Sequence, residues 1–513
     1  MASIKFVECA FANKQKFASI ETEQEAVQTC VLSKSWRYVW SARPAIDFLE
    51  DFFNGNTETF LSVLNKTLQF YHDQKLCIQE FRVKMLKSDS ESISLLEKWI
   101  PFFAMNKGLK TFDLYFDGSR RPAYFDLPSV VFEVESLQKL SLDRCNLNQN
   151  PIDKVLFKHL QTLCLQRVYI TEENFETILS SCPLIENLSL CGCEGLRTIK
   201  VHKLRNLNYF LFNRIYHEVY EKHLISVEID APTIKTIRIM NCENWLHHHI
   251  HFPHLSVLFL NRVRLSSKSF EFFSCNLPSL EKLTLVNCYG FEEFHLLSRS
   301  IKHLSIFRIS NPIKATIDAP NILVFNYEGN ISTSICFRTT SSKWKSNIFL
   351  RNYADFEYHA SSWFHKLSEL LKSLSQSVIS LKLIQECRIF RQIEDPPDIN
   401  IYGGFDKALV IEHLSLRGHY SSSSFKAFLN CLFRVCRPRN ISQCWYLDAH
   451  NDWQRKEEKL IEFLVEILLI ERDMRQHFWQ QDLEEVSMDE NGHEWHPGEG
   501  IKFRFRLKWK ELS

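Results

Sequence analysis

The chain has 513 residues, with 62 Lys plus Arg against 61 Asp plus Glu, a formal net charge of +1. A balance this close to zero argues against a general nucleic-acid binder, which needs a clustered basic face to displace counterions. Phe is abundant at 41 and Gly scarce at 13, as in a packed, ordered protein. At about 100–200 residues per domain, the length allows two to four domains, or one long repeat array.

In chain order, residues 1–20 contain lysines but no sustained apolar run and no cleavage site, so no targeting signal is legible. Residues 30–40, CVLSKSWRYVW, place Trp36 and Trp40 four apart, the spacing of one helix face. A helical linker or N-terminal cap is expected over 49–108. The longest apolar run, Phe463–Ile470, is interrupted by Glu466 and too short to cross a bilayer. Sixteen cysteines without a leader point to reduced thiols in the cytosol or nucleus. The sequons at Asn65, Asn187, Asn330 and Asn440 therefore carry little weight.

One pattern then recurs: apolar, two variable, apolar, one variable, apolar, with Cys or an aliphatic three further on. It reads Leu137-Leu140-Leu142-Cys145, Leu160-Leu163-Leu165-Val168, Ile185-Leu188-Leu190-Cys193 and Leu207-Phe210-Phe212-Ile215. Ile234-Ile237-Ile239-Cys242, Leu255-Leu258-Leu260-Val263, Leu280-Leu283-Leu285-Cys288 and Ile301-Leu304-Ile306-Ile309 follow. Ile322-Phe325-Tyr327 is a degraded copy with Asn330 in the last slot. Starts at 137, 160, 185, 207, 234, 255, 280, 301 and 322 are 21 to 27 residues apart, inside the leucine-rich-repeat period.

The expected fold is therefore an α/β leucine-rich-repeat solenoid, its short parallel strands lining a curved sheet. The slot just past each strand suits a small polar side chain that satisfies backbone groups where the chain turns. That reading covers Cys145, Cys193, Cys242 and Cys288 without metal or redox chemistry. Returns run through helices: over 171–183, Thr171 is the expected N-cap, Phe175, Ile178 and Leu179 the inward face, and Pro183 the stop. Residues 266–278 repeat the design with Phe270 and Phe273.

Leu109-Phe112-Leu114 reads as an atypical first copy, and Val378-Leu381-Leu383 and Ile411-Leu414-Leu416 as irregular late ones. An amphipathic helix is expected over 457–473. Strict alternation over 501–510, IKFRFRLKWK, predicts a closing strand with a basic outer face. Cys431 and Cys436 read as core on a helix face. Four histidines in WLHHHIH, 245–251, diverge along a loop without a ligand-spaced partner, so no metal site is expected. There is no phosphate loop and no G-x-S-x-G elbow, leaving no catalytic residue and no cofactor to name.

Residues 24–48, QEAVQTCVLSKSWRYVWSARPAIDF, resemble the second half of a plant F-box motif. Ala26-Val27, Thr29, Val31-Leu32-Ser33-Lys34, Trp36-Arg37-Tyr38 and Trp40 carry the likeness, and Pro44 and Asp47-Phe48 continue it. The repeat segments 182–193 and 317–329, and RQHFWQQDLEEVSM at 475–488, are also similar to plant F-box/leucine-rich-repeat proteins. That family's motif opens with a Leu-Pro pair and a further helix; residues 1–23 here contain neither Leu nor Pro, so the F-box is expected to be partial.

The resemblance implies five regions: a partial F-box over 1–48, recognisable from about 24; a helical cap over 49–108; repeats over 109–330; irregular late repeats with helical insertions over 331–456; and a closing helix and strand over 457–513. It implies a non-catalytic substrate-recognition subunit of a Skp-cullin-F-box type ubiquitin ligase. Val27, Val31, Leu32, Trp36 and Trp40 would meet a Skp-type adaptor, and through it a cullin. An unidentified target protein would lie on the concave face, at the residues between the two strand apolars: Ser141, Cys164, Ser189, Arg238, Phe259, Thr284 and Ser305. A repeat scaffold or decoy detached from the ligase is the alternative. A small-molecule receptor would require a deep pocket that no residue pattern identifies. Neither nucleic acid nor membrane is an expected partner, and the expected setting is cytoplasm or nucleus.

Overall fold

The computed structural model describes most of residues 44–443, together with 464, 465, 468, 478–490 and 503–510. The longest stretches outside the description are 1–43, 386–407, 444–463 and 491–502. The chain divides into two compact units, 1–250 and 251–513.

The first unit holds β1 (Ala45–Leu49), β2 (Glu80–Met85), β3 (Thr111–Phe116), β4 (Phe125–Asp126), β5 (Lys139–Asp143), β6 (Cys145–Asn146), β7 (Thr162–Gln166), β8 (Asn187–Cys191), β9 (Thr198–His202), β10 (Tyr209–Asn213), β11 (Ser226–Asp230) and β12 (Thr236–Met240). The main ladder runs β1-β2-β3-β5-β7-β8-β10-β12, parallel at each step. Outside it, β4 pairs with β6 and β9 with β11. Alternation along each strand buries Leu140 and Leu142, Leu163 and Leu165, Leu188 and Leu190, Phe210 and Phe212, and Ile237 and Ile239. Each such side chain gains roughly 1.5–3 kcal/mol on leaving water. No single repeat can bury its own apolar face, so the strands must stack.

Among the described residues of this unit are the helices α1 (Thr57–Asp73), α2 (Ser90–Ala104) and α3 (Glu172–Ser181). Asn56 Oδ1 accepts the Thr59 N–H at 3.0 Å and caps α1, whose Phe60, Leu61, Leu64, Leu68 and Tyr71 form the buried stripe. Trp99 of α2 donates its indole N–H to Asn65 Oδ1 at 2.9 Å, and Phe103 packs 4.6 Å from the Phe81 ring. On α3, Thr171 accepts the Asn174 N–H at 3.2 Å, and Phe175, Ile178 and Leu179 are buried, as their spacing predicts.

The segment 49–108 thus holds α1 and α2 but also β2, and the ladder starts at β1 rather than at residue 109. Phe81 and Val83 sit in register with Phe112 and Leu114. The helical return stretches this step to 31 residues (81 to 112), beyond the repeat period, so periodicity alone does not find it. Asp47 and Phe48, at the end of the F-box-like stretch, lie on β1 opposite Arg82 and Val83.

The second unit holds β13 (Val257–Asn261), β14 (Lys282–Val286), β15 (Glu293–Leu297), β16 (His303–Phe307), β17 (Lys314–Asp318), β18 (Val324–Gly329), β19 (Ser334–Arg338), β20 (Trp344–Arg351), β21 (Ser377–Gln385), β22 (Leu409–Gly418), β23 (Cys436–Gln443), β24 (Leu483–Glu490) and β25 (Phe503–Trp509). Its ladder is parallel through β13-β14-β16-β18-β20-β21-β22-β23. Then β25 joins β23, and β24 joins β25, both antiparallel. A second layer, β15-β17-β19, is parallel.

Helices among the described residues here include α4 (Ser267–Asn276), α5 (Ala360–Ser373) and α6 (Ser422–Val435). Phe270 of α4 stacks on Phe294 of β15 with ring centroids 4.0 Å apart. Ser266 and Ser269 cap α4 reciprocally. Of the late copies, Leu381, Leu383, Ile411, Leu414 and Leu416 are buried as expected. Val378 is 46% exposed, because β21 already includes it and an odd separation from Leu381 turns it to the other face. Cys431 is buried on α6, but Cys436 opens β23 and is not on a helix.

The basic alternation over 503–509 forms a strand, with Phe505 and Leu507 buried and Arg506 and Lys508 exposed. Trp509 donates its indole N–H to Pro438 O at 2.7 Å, and Trp479 donates to Asn430 Oδ1 at 2.8 Å. Of the helix expected over 457–473, only 464, 465 and 468 lie within the described residues. No helix among the described residues is long and apolar enough to cross a membrane.

Candidate protein-interaction surface

Strand register turns the variable side chains into rows. In the first unit the central row runs Asp47, Arg82, Asp113, Ser141, Cys164, Ser189, Leu211 and Arg238. In the second it runs Phe259, Thr284, Ser305, Asn326, Asn347, Ser380, His413 and Asn440. All seven residues singled out between strand apolars fall in these rows, four in one unit and three in the other. Asp113, Leu211 and Asn326 belong with them and carry the same signal, the single position between two inward residues. Val27, Val31, Leu32, Trp36 and Trp40 lie outside the described residues.

The first unit's face is laced by ion pairs. Arg167 grips Asp143 through Nε at 2.8 Å and Nη2 at 2.6 Å, and Asp143 also accepts the Phe116 N–H at 3.1 Å. The Asp143 carboxylate is almost fully buried, so these bonds replace the water it has lost. The hydrogen bond to Asp143 holds the Arg167 guanidinium above its ordinary pKa. Arg167 and Lys84 both lie over one aromatic ring, 5.6 and 5.7 Å from the Tyr115 centroid. Lys139 meets Asp113 at 3.2 Å, and Arg82 meets Glu80 at 2.9 Å.

The second unit's central row is held by amides. Asn326 Nδ2 donates to Ser305 Oγ at 3.0 Å, and Asn347 Nδ2 donates to Asn326 Oδ1 at 2.8 Å. Thr284 and Ser305 are buried among these neighbours.

Among the described residues seven strands, β5, β7, β8, β12, β13, β14 and β16, end in the same turn. Arg144, Arg167, Gly192 and Asn241 in the first unit, and Arg262, Asn287 and Arg308 in the second, have positive φ between 48° and 63°. Their N–H groups reach the next strand's end: Arg144 to Gln166 O at 3.0 Å, Arg262 to Val286 O at 2.9 Å, and Asn287 to Phe307 O at 2.9 Å. At Gly192 a Cβ would also meet Ile215 at 3.0 Å.

The cysteines after these turns behave as expected of structural groups. The Sγ of Cys145 lies 3.5 Å from Asp143 O, that of Cys193 3.4 Å from Leu165 O, and that of Cys288 3.6 Å from Leu260 O. Burial pushes the Cys193 thiol up to about 12 and the Cys288 thiol up to about 11. Protonated thiols donate these bonds, whereas thiolates would be the metal ligands or nucleophiles. Among the described residues no group of three or more His, Cys, Asp or Glu is placed to hold a metal ion. Most of the histidine run, residues 246–250, lies outside them.

A family model described as "FBD-associated F-box protein At5g56370, LRR repeats" matches residues 96–241 and 196–332. Among relatives from Arabidopsis thaliana, a putative FBD-associated F-box protein, At5g22720, is 31% identical over 167 residues, 32% of this chain and 35% of the relative. A putative F-box protein, At1g49610, is 28% identical over 222 residues, 43% of this chain and 53% of the relative. F-box/LRR-repeat protein 25 is 28% identical over 220 residues, 42% of this chain and 78% of that protein. The chain thus spans between 35% and 53% of the length of the first two relatives. Over its registered leucine-rich repeats, the chain is similar to plant F-box/leucine-rich-repeat proteins.

Proposed function

We propose that this chain is the substrate-recognition subunit of a Skp-cullin-F-box type ubiquitin ligase, in the cytoplasm or nucleus. The F-box-like segment 24–48 docks the Skp-type adaptor, and the open sheet faces hold the target protein. The observation that carries the reading is an F-box-like sequence ahead of a repeat array whose variable side chains stand in registered rows on a partly exposed face. The F-box names of the relatives support it. The chain's contribution is proximity: holding a target near partner enzymes raises the effective concentration of its lysines, and no residue here enters the chemistry.

The test is binding of the purified full chain to a Skp-type adaptor, beside Leu32→Ala and Trp36→Ala variants. Sub-micromolar affinity lost in both variants supports the ligase role. Absence of binding by a folded chain overturns it and leaves the scaffold or decoy reading.

A further inference from the structure

The open face of the second unit carries an uncompensated chemical pattern. On either side of its central row lie two more. Upstream are Val257, Lys282, His303, Val324, Lys345 and Val378; downstream are Asn261, Val286, Phe307, Glu328, Phe349 and Lys382. Phe307 stands directly opposite Val286, with Phe259 one strand further along the same face. These are partly exposed apolar side chains on a sheet face, which gain by being covered.

The acidic groups around them are already engaged. Glu281 pairs with Lys302 at 2.6 Å and Glu328 with Arg308 at 2.9 Å. Lys282, Lys345 and Arg262 are exposed and have no ion-pair partner among the described residues. The chain as a whole is nearly neutral, so this excess is local to the face.

We infer that this face takes an acidic, extended segment of a partner protein, seating a large apolar side chain on Phe259, Val286 and Phe307 while its carboxylates meet Lys282, Lys345 and Arg262. Charge complementarity selects the occupant. Lys282 and Lys345 lie in one row three strands apart, about 14 Å at the usual strand spacing, which about four extended residues span. Carboxylates four positions apart, flanking an apolar residue, match that interval. The inference rests on the target-recognition reading above and names the class of target.

The experiment uses the full chain and three fluorescent peptides with the same Leu and Phe anchors. Their spacers are Asp/Glu, Asn/Gln or Lys. The acidic peptide is expected to bind about tenfold tighter than the basic one, with the preference shrinking as salt rises. Lys282→Glu with Lys345→Glu should reverse the order. Lys200→Glu, at an exposed position of β9 outside the main ladder, should leave it unchanged, and unfolding midpoints verify that each variant is folded.

Equal binding of all three peptides, or no binding of the acidic one, overturns the inference. If the neutral or basic peptide binds instead and Phe307→Ser abolishes it, the face still holds proteins and only the assigned chemistry falls. Self-association dispersed by Lys282→Glu with Lys345→Glu would give the face to a second copy and overturn the proposal. Adaptor binding is measured separately, so loss of the ligase reading remains distinguishable.

Discussion

The two units solve one problem differently. Both stack parallel strands with alternating buried apolar residues, and both leave a row of variable side chains on the other face. In the first unit charges on and beside that row are paired: Asp113 with Lys139 and Asp143 with Arg167 tie neighbouring repeats together. In the second, Ser305, Asn326 and Asn347 pass hydrogen bonds from strand to strand without charge, and exposed lysines remain beside them. The difference teaches that a repeat scaffold does not dictate the chemistry of its open face. A face with its charges paired serves stability, whereas unpaired charge remains available to a partner.

The largest test of this contrast is Asp143→Ala. It should cost about 3–5 kcal/mol, because the part-buried Arg167 and the Phe116 N–H lose their partner together. Chemical denaturation measures it, and a loss under about 1 kcal/mol would show that water replaces the carboxylate. Replacing both partners, Asp143→Leu with Arg167→Met, should recover most of the loss.

The helix caps come next. Thr171→Ala in the first unit and Ser266→Ala in the second should each cost about 1 kcal/mol, and unequal costs would separate the single cap from the reciprocal one. Asn326→Ala should cost about 0.5–1.5 kcal/mol, as it interrupts the amide relay between Ser305 and Asn347. Lys139→Met, at a half-buried pair still open to solvent, should change stability by less than about 1 kcal/mol. If Lys139→Met proves the costlier of the last two, ion pairs rather than amides are the stronger inter-repeat tie.

Alkaline titration probes both units. The buried thiols have raised pKa values, so their contribution to stability is complete below the ordinary thiol value of 9.0. It is lost as pH climbs through about 11 for Cys288 and about 12 for Cys193. Unfolding midpoints flat to pH 9 and falling above it are expected, along with slow alkylation of these thiols at neutral pH. Rapid labelling of Cys145 or Cys288 in the native state would contradict their placement.

Much of the fold was legible in sequence because the information is local. The interval between Leu137, Leu140 and Leu142 specifies which side chains go inward, and Thr171 followed by acidic residues specifies a helix start. The site was legible only as positions: Ser141, Cys164 and Ser189 could be named, but not whether their neighbours pair or stay free. Nor could Val378 be read correctly, since its face depends on where β21 begins.

By itself, then, the sequence determined the repeat pitch, the inward residues, the caps of α3 and α4 and the strand character of 503–509. All of these follow from helical or strand periodicity within a few residues. Tertiary structure alone decided that β1 and β2 join the ladder, that Arg167 reaches back 24 positions to Asp143, and that Lys282 and Lys345 share one row. The physical reason is the same in each case: lateral strand register brings together residues that no local spacing relates.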